Sequence, residues 1–325
     1  MMNVLSRSIE TEKAYAKRGR EICVRVSNLY GLGPHEPLPP ELAVRYLIDQ
    51  KPSVSKSTWR QNKAALKFHL EELACGSRDD IRARELQGAL EILSNEPQTG
   101  AMRRGTRTSA IKQKGCGRQD FVKIIRFLRA NMDHYRWAKS LGVLLGATYL
   151  TGLRPCEWGQ AYLEEREDGV VLVVRNAKFG EHRAGQMFRR LHLSPDQPIV
   201  ANAVRALLSH IQERPGGLAF SEWLRRVSLF MTRAGRSILG RRKRYPSIYS
   251  FRHQFAADAK ASGVPLEELA ALMGHATDAT ATFHYARRAQ GTAGIHVRAS
   301  SVDVAGIRRK LRAHPSSRRA RAVRI

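Results

Sequence analysis

Apolar residues recur at helical spacing through the first hundred positions. From about Ser8 to Leu29, Tyr15, Ile22, Val26 and Leu29 fall on one line. Lys13, Lys17, Arg18 and Arg20 fall off it, which predicts an amphipathic helix ended by Gly31, Gly33 and Pro34. A second helix follows Pro39-Pro40 on Leu42, Tyr46 and Leu47, and a third starts at Ser57 or Thr58. The third carries Trp59, Leu66, Leu70 and Leu73 to a stop at Gly76. A fourth opens at Ser77-Arg-Asp-Asp80, whose Ser and Asp suit a capped start, and uses Leu86, Leu90 and Leu93. No period-2 alternation interrupts this module.

Beyond it the pattern changes twice. Ala101 to Arg118 holds six Lys or Arg, no acid and three glycines, which reads as a flexible basic linker. From Gln119, Phe121, Ile124, Ile125 and Leu128, then Trp137, Leu141, Leu144 and Leu145, predict two helices, the second ending at Thr151-Gly152. A short helix is expected after Pro155. Gly169 to Phe179 is rich in Val and reads as a strand, Gly180 to Gly185 as a turn, and Met187 to Leu193 as the return strand of a β-hairpin. Helices resume over Ile199–Ile211 and from Phe220 to about Ile238, and a basic loop, Arg241-Arg-Lys-Arg244, precedes short Ala-rich helices from Ile248. The expected fold is therefore mainly α, with one small β-hairpin. It divides into a helical domain at 1–100, a linker at 101–118, a second domain at 119–290 and a basic tail at 291–325. From Val304 on, the tail has eight Lys or Arg and no acid. Two readings stand for it: a solvated basic segment, or a short amphipathic helix on Val304, Ile307 and Leu311 that docks on a neighbouring protomer.

Charge narrows the function. The 325 residues carry 56 Lys plus Arg against 29 Asp plus Glu, a net charge of +27. A surplus of this size, spread along the chain, points to a polyanionic partner, and DNA, RNA and an anionic membrane would all satisfy it. No apolar run is long enough to span a bilayer and no lipidation signal is found, which disfavours a membrane role. Cys23, Cys75, Cys116 and Cys156 are isolated, so neither a zinc site nor a disulfide framework is suggested. With no apolar stretch at the amino terminus, a reduced, cytoplasmic setting is expected.

Three places hold residues that a core does not need: Thr151-Gly-Leu-Arg154-Pro-Cys-Glu157, then Asn176-Ala-Lys178, then Tyr249-x-x-Arg252 with Gly274-His275 and Tyr285. Breaking a phosphodiester requires a nucleophile, cations on the non-bridging oxygens and a proton for the leaving 5′ oxygen. Two arginines suit the oxygens, because the guanidinium fork is planar, bidentate and always charged. A hairpin lysine can serve as general acid. A tyrosine becomes a usable nucleophile when nearby cations favour its phenolate. Side chains supply all the charge, so the expected chemistry needs no cofactor and no metal.

The order Arg, Lys, x-x-Arg, Gly-His, Tyr resembles the tyrosine recombinase (phage integrase) family of DNA breaking-rejoining enzymes. Thr-Gly-Leu-Arg-Pro-x-Glu is similar to the family's first catalytic box, Phe251-Arg-His-Gln-Phe-Ala to its second, and Leu272-Met-Gly-His275 followed by Tyr285 to its third. The resemblance covers about Gln119 to Arg288. The amino-terminal helices match the family's core-binding domain in size and helical character. The resemblance implies that Arg154 and Arg252 clamp the scissile phosphate, that Lys178 protonates the leaving oxygen and that His275 hydrogen-bonds the phosphate. Tyr285 would form a 3′-phosphotyrosyl bond, and Glu157 would orient Arg154 from behind. Tyr249 stands where the family most often has His, and His253 and His284 lie close by in sequence. The family further implies a homotetramer on paired DNA sites, an accessory DNA-binding protein as a further partner, and a bacterial, nucleoid-associated location. Integration, excision and resolution of a mobile element all fit. Two other readings remain: a type IB topoisomerase-like relaxase, and a sequence-specific DNA-binding accessory protein without catalysis.

Overall fold

The computed structural model describes residues 9–33, 35–102, 113–167, 169–177, 186–215, 217–278 and 288–309. The chain divides into two compact units, Met1–Arg107 and Thr108–Ile325. Among the described residues no helix is long and apolar enough to cross a membrane.

The first unit contains helices α1 (Ile9–Leu29), α2 (Pro40–Asp49), α3 (Lys56–Gly76) and α4 (Asp80–Asn95). Their apolar lines meet in one core around Ile22, Val26, Val44, Leu47, Trp59 and Leu66. Helix α3 starts earlier than Ser57 because Ser55 caps it, its Oγ accepting from Thr58 N at 3.2 Å. Asp79 caps α4 in the same way, accepting from Ile81 N at 2.9 Å. Leu29, on the apolar line of α1, is exposed at the helix end. Lys51 is buried, pairs with Glu96 and lies 5.2 Å from the centroid of the Trp59 ring, which ties α2, α3 and the end of α4 together.

The second unit is mostly helical around a four-stranded antiparallel sheet. Its elements are α5 (Arg118–Ala130), α6 (Ala138–Thr151), a 3₁₀ turn (Pro155–Gln160), β1 (Tyr162–Arg166), β2 (Gly169–Arg175) and β3 (Phe188–Leu193). They continue with α7 (Pro198–Gln212), α8 (Phe220–Leu239), α9 (Ile248–Ala261), α10 (Leu266–Leu272), a 3₁₀ turn (Arg288–Gln290), β4 (Val297–Ala299) and α11 (Ser301–Ala305). The mainly helical fold with a small antiparallel sheet is therefore present. The β2–β3 pair is the hairpin read from the sequence, with Leu172 opposite Leu191 and Val174 opposite Arg189. Strand β1 adds to one side, Tyr162 opposite Val173, and β4 to the other, Leu191 opposite Ala299. The turn expected at 180–185 lies outside the described residues. The short helix expected after Pro155 is a 3₁₀ turn. Helix α11 is capped by Ser300, and beyond it Arg308 N donates to Ala276 O (3.1 Å). Leu311 lies outside the described residues.

Two features of this unit position the site. Helix α6 is apolar on nearly every face and buries Leu141, Leu144, Leu145 and Ala147, so it can be covered all round. It ends at Gly152, φ +70°, where a Cβ would run into the Phe255 ring of α9. The absence of that Cβ is what lets α9 close on the end of α6. Helix α9 buries ten of its fourteen residues, including Phe251, Arg252, Phe255, Ala256 and Ala257. The small alanines keep it close to its neighbours, and an arginine one turn before Phe255 is thereby carried to the end of α6.

Candidate active site

The site begins with a local hydrogen-bond pattern. Arg154 precedes the 3₁₀ turn, and Glu157 sits in its first turn. Glu157 Oε2 accepts from Arg154 N (2.8 Å), and Oε1 accepts from Arg154 Nη1 (2.6 Å). One carboxylate thus fixes both ends of the arginine. Arg154 is 5% exposed and Glu157 2%.

Arg252 arrives from α9 and is fully buried. Its Nη1 donates to Gly152 O (2.6 Å) and its Nη2 to Met273 O (2.6 Å). Its Nη1 also lies 3.9 Å from Glu157 Oε2. The third participant follows α10. Gly274 takes φ +60°, which turns the chain so that His275 N donates back to Ala270 O (2.9 Å). Arg154 Nη2 donates to Gly274 O (3.3 Å), and Arg252 Nη2 lies 3.4 Å from His275 Nε2. A guanidinium only donates, so Nε2 is the acceptor in that contact. Arg154, Glu157, Arg252 and His275, read from three separate stretches of sequence, are therefore linked in one network.

A fifth side chain completes the cluster and belongs to none of those stretches. Arg189, on β3, is 2% exposed. Its Nη2 donates to Glu157 Oε2 (2.7 Å), its Nη1 to Glu157 Oε1 (3.2 Å) and to Asn176 Oδ1, and its Nε to Leu272 O (3.1 Å). The signal for it lies in the strand alternation: Arg189, Leu191 and Leu193 share the buried face of β3. A cation on a core-facing position needs a buried anion, and Glu157 is that anion.

Electrostatics follow from the packing. Three guanidiniums surround one carboxylate, a local excess of two positive charges in a region shut off from water. Burial by itself would raise the Glu157 pKa. The charge and hydrogen bonds of Arg189, with the charges of Arg252 and Arg154, hold it instead well below the usual carboxylate range. His275 is pushed down to about 2, first by burial and then by the charges of Arg252, Arg154 and Arg189. His253 is pushed down to about 4, by burial first and then by Arg252, Lys114 and Lys260. Both imidazoles are neutral near neutral pH, so His275 acts as a hydrogen-bonding group and not as a further cation. In the isolated chain the His275 ring resonances are expected to stay fixed from mildly acid to mildly alkaline pH. A titration of that ring near the ordinary histidine value, followed by NMR, would contradict the burial and charge argument.

Tyr249 lies in the first turn of α9 and is 38% exposed, with its ring centroid 5.6 Å from that of His253. It stands at the accessible edge, while Arg252 faces inward. Lys178, Tyr285 and His284 lie outside the described residues. The chain on either side of them is well held. Ahead of Lys178, Asn176 N donates to Met187 O (2.8 Å), and Ala177 N donates to Glu157 Oε1 (3.4 Å). Past Tyr285, Asp258 Oδ1 accepts from Thr292 N (2.8 Å), and Gln254 Nε2 donates to Gln290 O (2.8 Å), which fastens that segment to α9. Among the described residues no group of His, Cys, Asp and Glu is arranged to hold a metal ion.

No protein-family model and no curated protein matches the chain. Solved structures do. A lambda integrase dimer bound to a COC' core site is 16% identical with a TM-score of 0.48, the match covering 87% of this chain and 73% of that one. XerA recombinase is 16% identical with a TM-score of 0.37, over 87% and 90%. The Tn1549 transposon integrase in complex with transposon right end DNA is 14% identical with a TM-score of 0.43, over 86% and 96%. The functional reading rests on the side chains of the cluster.

Proposed function

We propose that this chain is a site-specific DNA recombinase of the tyrosine type, which cleaves and rejoins duplex DNA through a covalent protein–DNA bond. The observation that carries the reading is the convergence of Arg154, Arg252 and His275 over the buried Glu157. Two guanidiniums are held by main-chain carbonyls and one neutral imidazole lies beside them, with a net positive charge that a phosphate would complement. In the reaction, Tyr285 gives up its hydroxyl proton to solvent water, its oxygen attacks the scissile phosphorus and a P–O(Tyr) bond forms. The bond to the 5′ oxygen breaks, and Lys178 gives that oxygen its proton. Arg154 and Arg252 take the charge that builds on the non-bridging oxygens, and His275 hydrogen-bonds one of them. The phosphotyrosyl ester conserves the energy of the cleaved bond, so the reverse attack by a 5′ hydroxyl reseals a strand without ATP. Recombining two duplexes uses four such sites, hence four protomers on paired DNA. The charge of +27 suits the polyanion they would hold. The COC' core site, the transposon right end and the Holliday junction carrying a tetramer belong to the matched proteins.

One observation favours a second reading. Tyr249 takes the place of a usual His, and a phenol is a poor base near neutral pH. On that ground the chain would bind DNA as an accessory factor without cutting it. The test is nicked DNA carrying the candidate site from the flanks of the gene, followed by denaturing electrophoresis. A covalent band is expected, and it is expected to vanish in Tyr285→Phe. Tight binding with no Tyr285-dependent band would replace the recombinase by the accessory factor.

A further inference from the structure

The geometry points to Arg189 as a positioning residue for strand cleavage: it holds Glu157 ionised and in register, and through Glu157 it sets Arg154. This rests on the recombinase reading above and goes beyond it, since Arg189 is in none of the three boxes that suggested that reading. Its guanidinium joins four separate places, with three groups meeting on it. Glu157 comes from the turn after α6, Asn176 from the end of β2, Leu272 O from the end of α10, and the arginine itself from β3. Arg189 is thus the one described side chain bonded at once to the carboxylate that aims Arg154, the base of the hairpin that leads to Lys178, and the helix end that leads to His275. Gly274 fits the same joint, because a Cβ there would collide with Asn176 Oδ1 and Arg189 Nη1.

The chemistry of the joint explains why a cation is required. Glu157 is buried, and burial alone favours its neutral form. A protonated Glu157 would hold a proton on one of the two oxygens that now accept from Arg154, and that arginine would lose its fixed rotamer. The groups that face the carboxylate are Arg154 from the turn, Arg189 from β3, Arg252 from α9 and Ala177 N from the chain after β2. Among the described residues, the neutral His275 and the Cys156 thiol, pushed up first by burial and then by the Glu157 charge, are further titratable groups beside the arginines. Arg189 is the one of these cations whose guanidinium donates to both oxygens, and its charge is the first of the influences that lower the carboxyl pKa.

Single-turnover formation of the covalent complex on nicked DNA, measured across pH for the wild type, Arg189→Met and Arg189→Lys, tests this. DNA affinity and thermal unfolding are measured on the same preparations. Arg189→Met is expected to bind DNA like the wild type and to form the covalent complex about 100-fold more slowly near neutral pH. Its rate relative to the wild type is expected to climb as pH rises, since Glu157, deprived of its strongest partner, ionises only toward the alkaline side. Arg189→Lys keeps the charge but not the fork, so a loss of about 10-fold with no pH trend in the ratio is expected. A ratio for Arg189→Met that stays flat with pH, or a rate close to that of the wild type, overturns the assignment. If Arg189→Met does not fold, Arg189→Lys decides: a wild-type rate in that variant overturns it. A wild-type chain that forms no Tyr285-dependent band overturns the recombinase reading and this one with it, whereas a cutting wild type with insensitive variants overturns this one alone.

Discussion

Arg252→Ala is expected to lower covalent-complex formation by about 10³-fold while DNA still binds. The side chain is fully buried, and each of its terminal nitrogens already donates to a main-chain carbonyl at 2.6 Å, Gly152 O on one side and Met273 O on the other. That bracing sets the plane of the guanidinium before any phosphate arrives, so no reorganisation has to accompany charge build-up. Removal takes away both the charge and the plane. Because the two carbonyls would lose buried donors at about 1–3 kcal/mol each, the alanine variant is also less stable. Arg252→Lys separates the effects, since an ammonium restores charge but cannot bridge both carbonyls and a phosphate in one plane. It is expected to cleave far more slowly than the wild type while unfolding closer to it. Rates on nicked DNA, mobility-shift affinities and thermal unfolding measure the three quantities. Cleavage by Arg252→Ala near the wild-type rate would remove Arg252 from the catalytic set.

The second large effect is on stability. Glu157→Leu leaves Arg154, Arg189 and Arg252 facing one another in the interior without a counter-charge. Breaking a buried ion pair from one side typically costs about 3–5 kcal/mol. Here one carboxylate serves three cations, so a loss at the upper end of that range is expected, read as a fall in the denaturant midpoint with little change in its slope. Glu157→Gln, which keeps an acceptor but no charge, should fall between. The pH dependence has a definite sign. Glu157 has a folded-state pKa far below its ordinary 4.5. Its contribution is complete above that ordinary value and is lost as pH falls from there toward the folded pKa. The wild type should therefore lose stability in that acid window more steeply than Glu157→Gln. Parallel acid-unfolding curves for the two chains would show that the carboxylate is not the anchor described.

Much of this architecture is legible in the linear pattern. The apolar lines of α1 to α4 and the all-round apolar α6 follow from composition and period. So does the Val-rich β2, which a buried central strand requires. Strand β1 is not legible, because Tyr162–Arg166 carries three charged residues in five and its pairing comes from β2 alone. Strand β4 is three residues long, too short for any period to show, and is defined by its partner β3. In the site, Arg154 and Glu157 are joined by a local turn, so their spacing was informative. Arg252 and His275 could be placed together only by the resemblance. Arg189 depends on a contact between β3 and a turn 32 residues away, which no local pattern encodes. What the alternation of β3 did encode was that an arginine would point inward.

The arginines of the cluster lean on main-chain oxygens of Gly152, Leu272, Met273 and Gly274. A carbonyl is the same whatever side chain its residue carries. Mutation can therefore rewrite most of the surrounding sequence without moving these supports, provided that the two turns keep their course and the two glycines remain. For protein engineering this separates what is open to change from what is not. The surfaces proposed to meet DNA can be diversified in a library with the turns at 152–157 and 272–275 held constant, and the variants that lose function through a collapsed centre should be few.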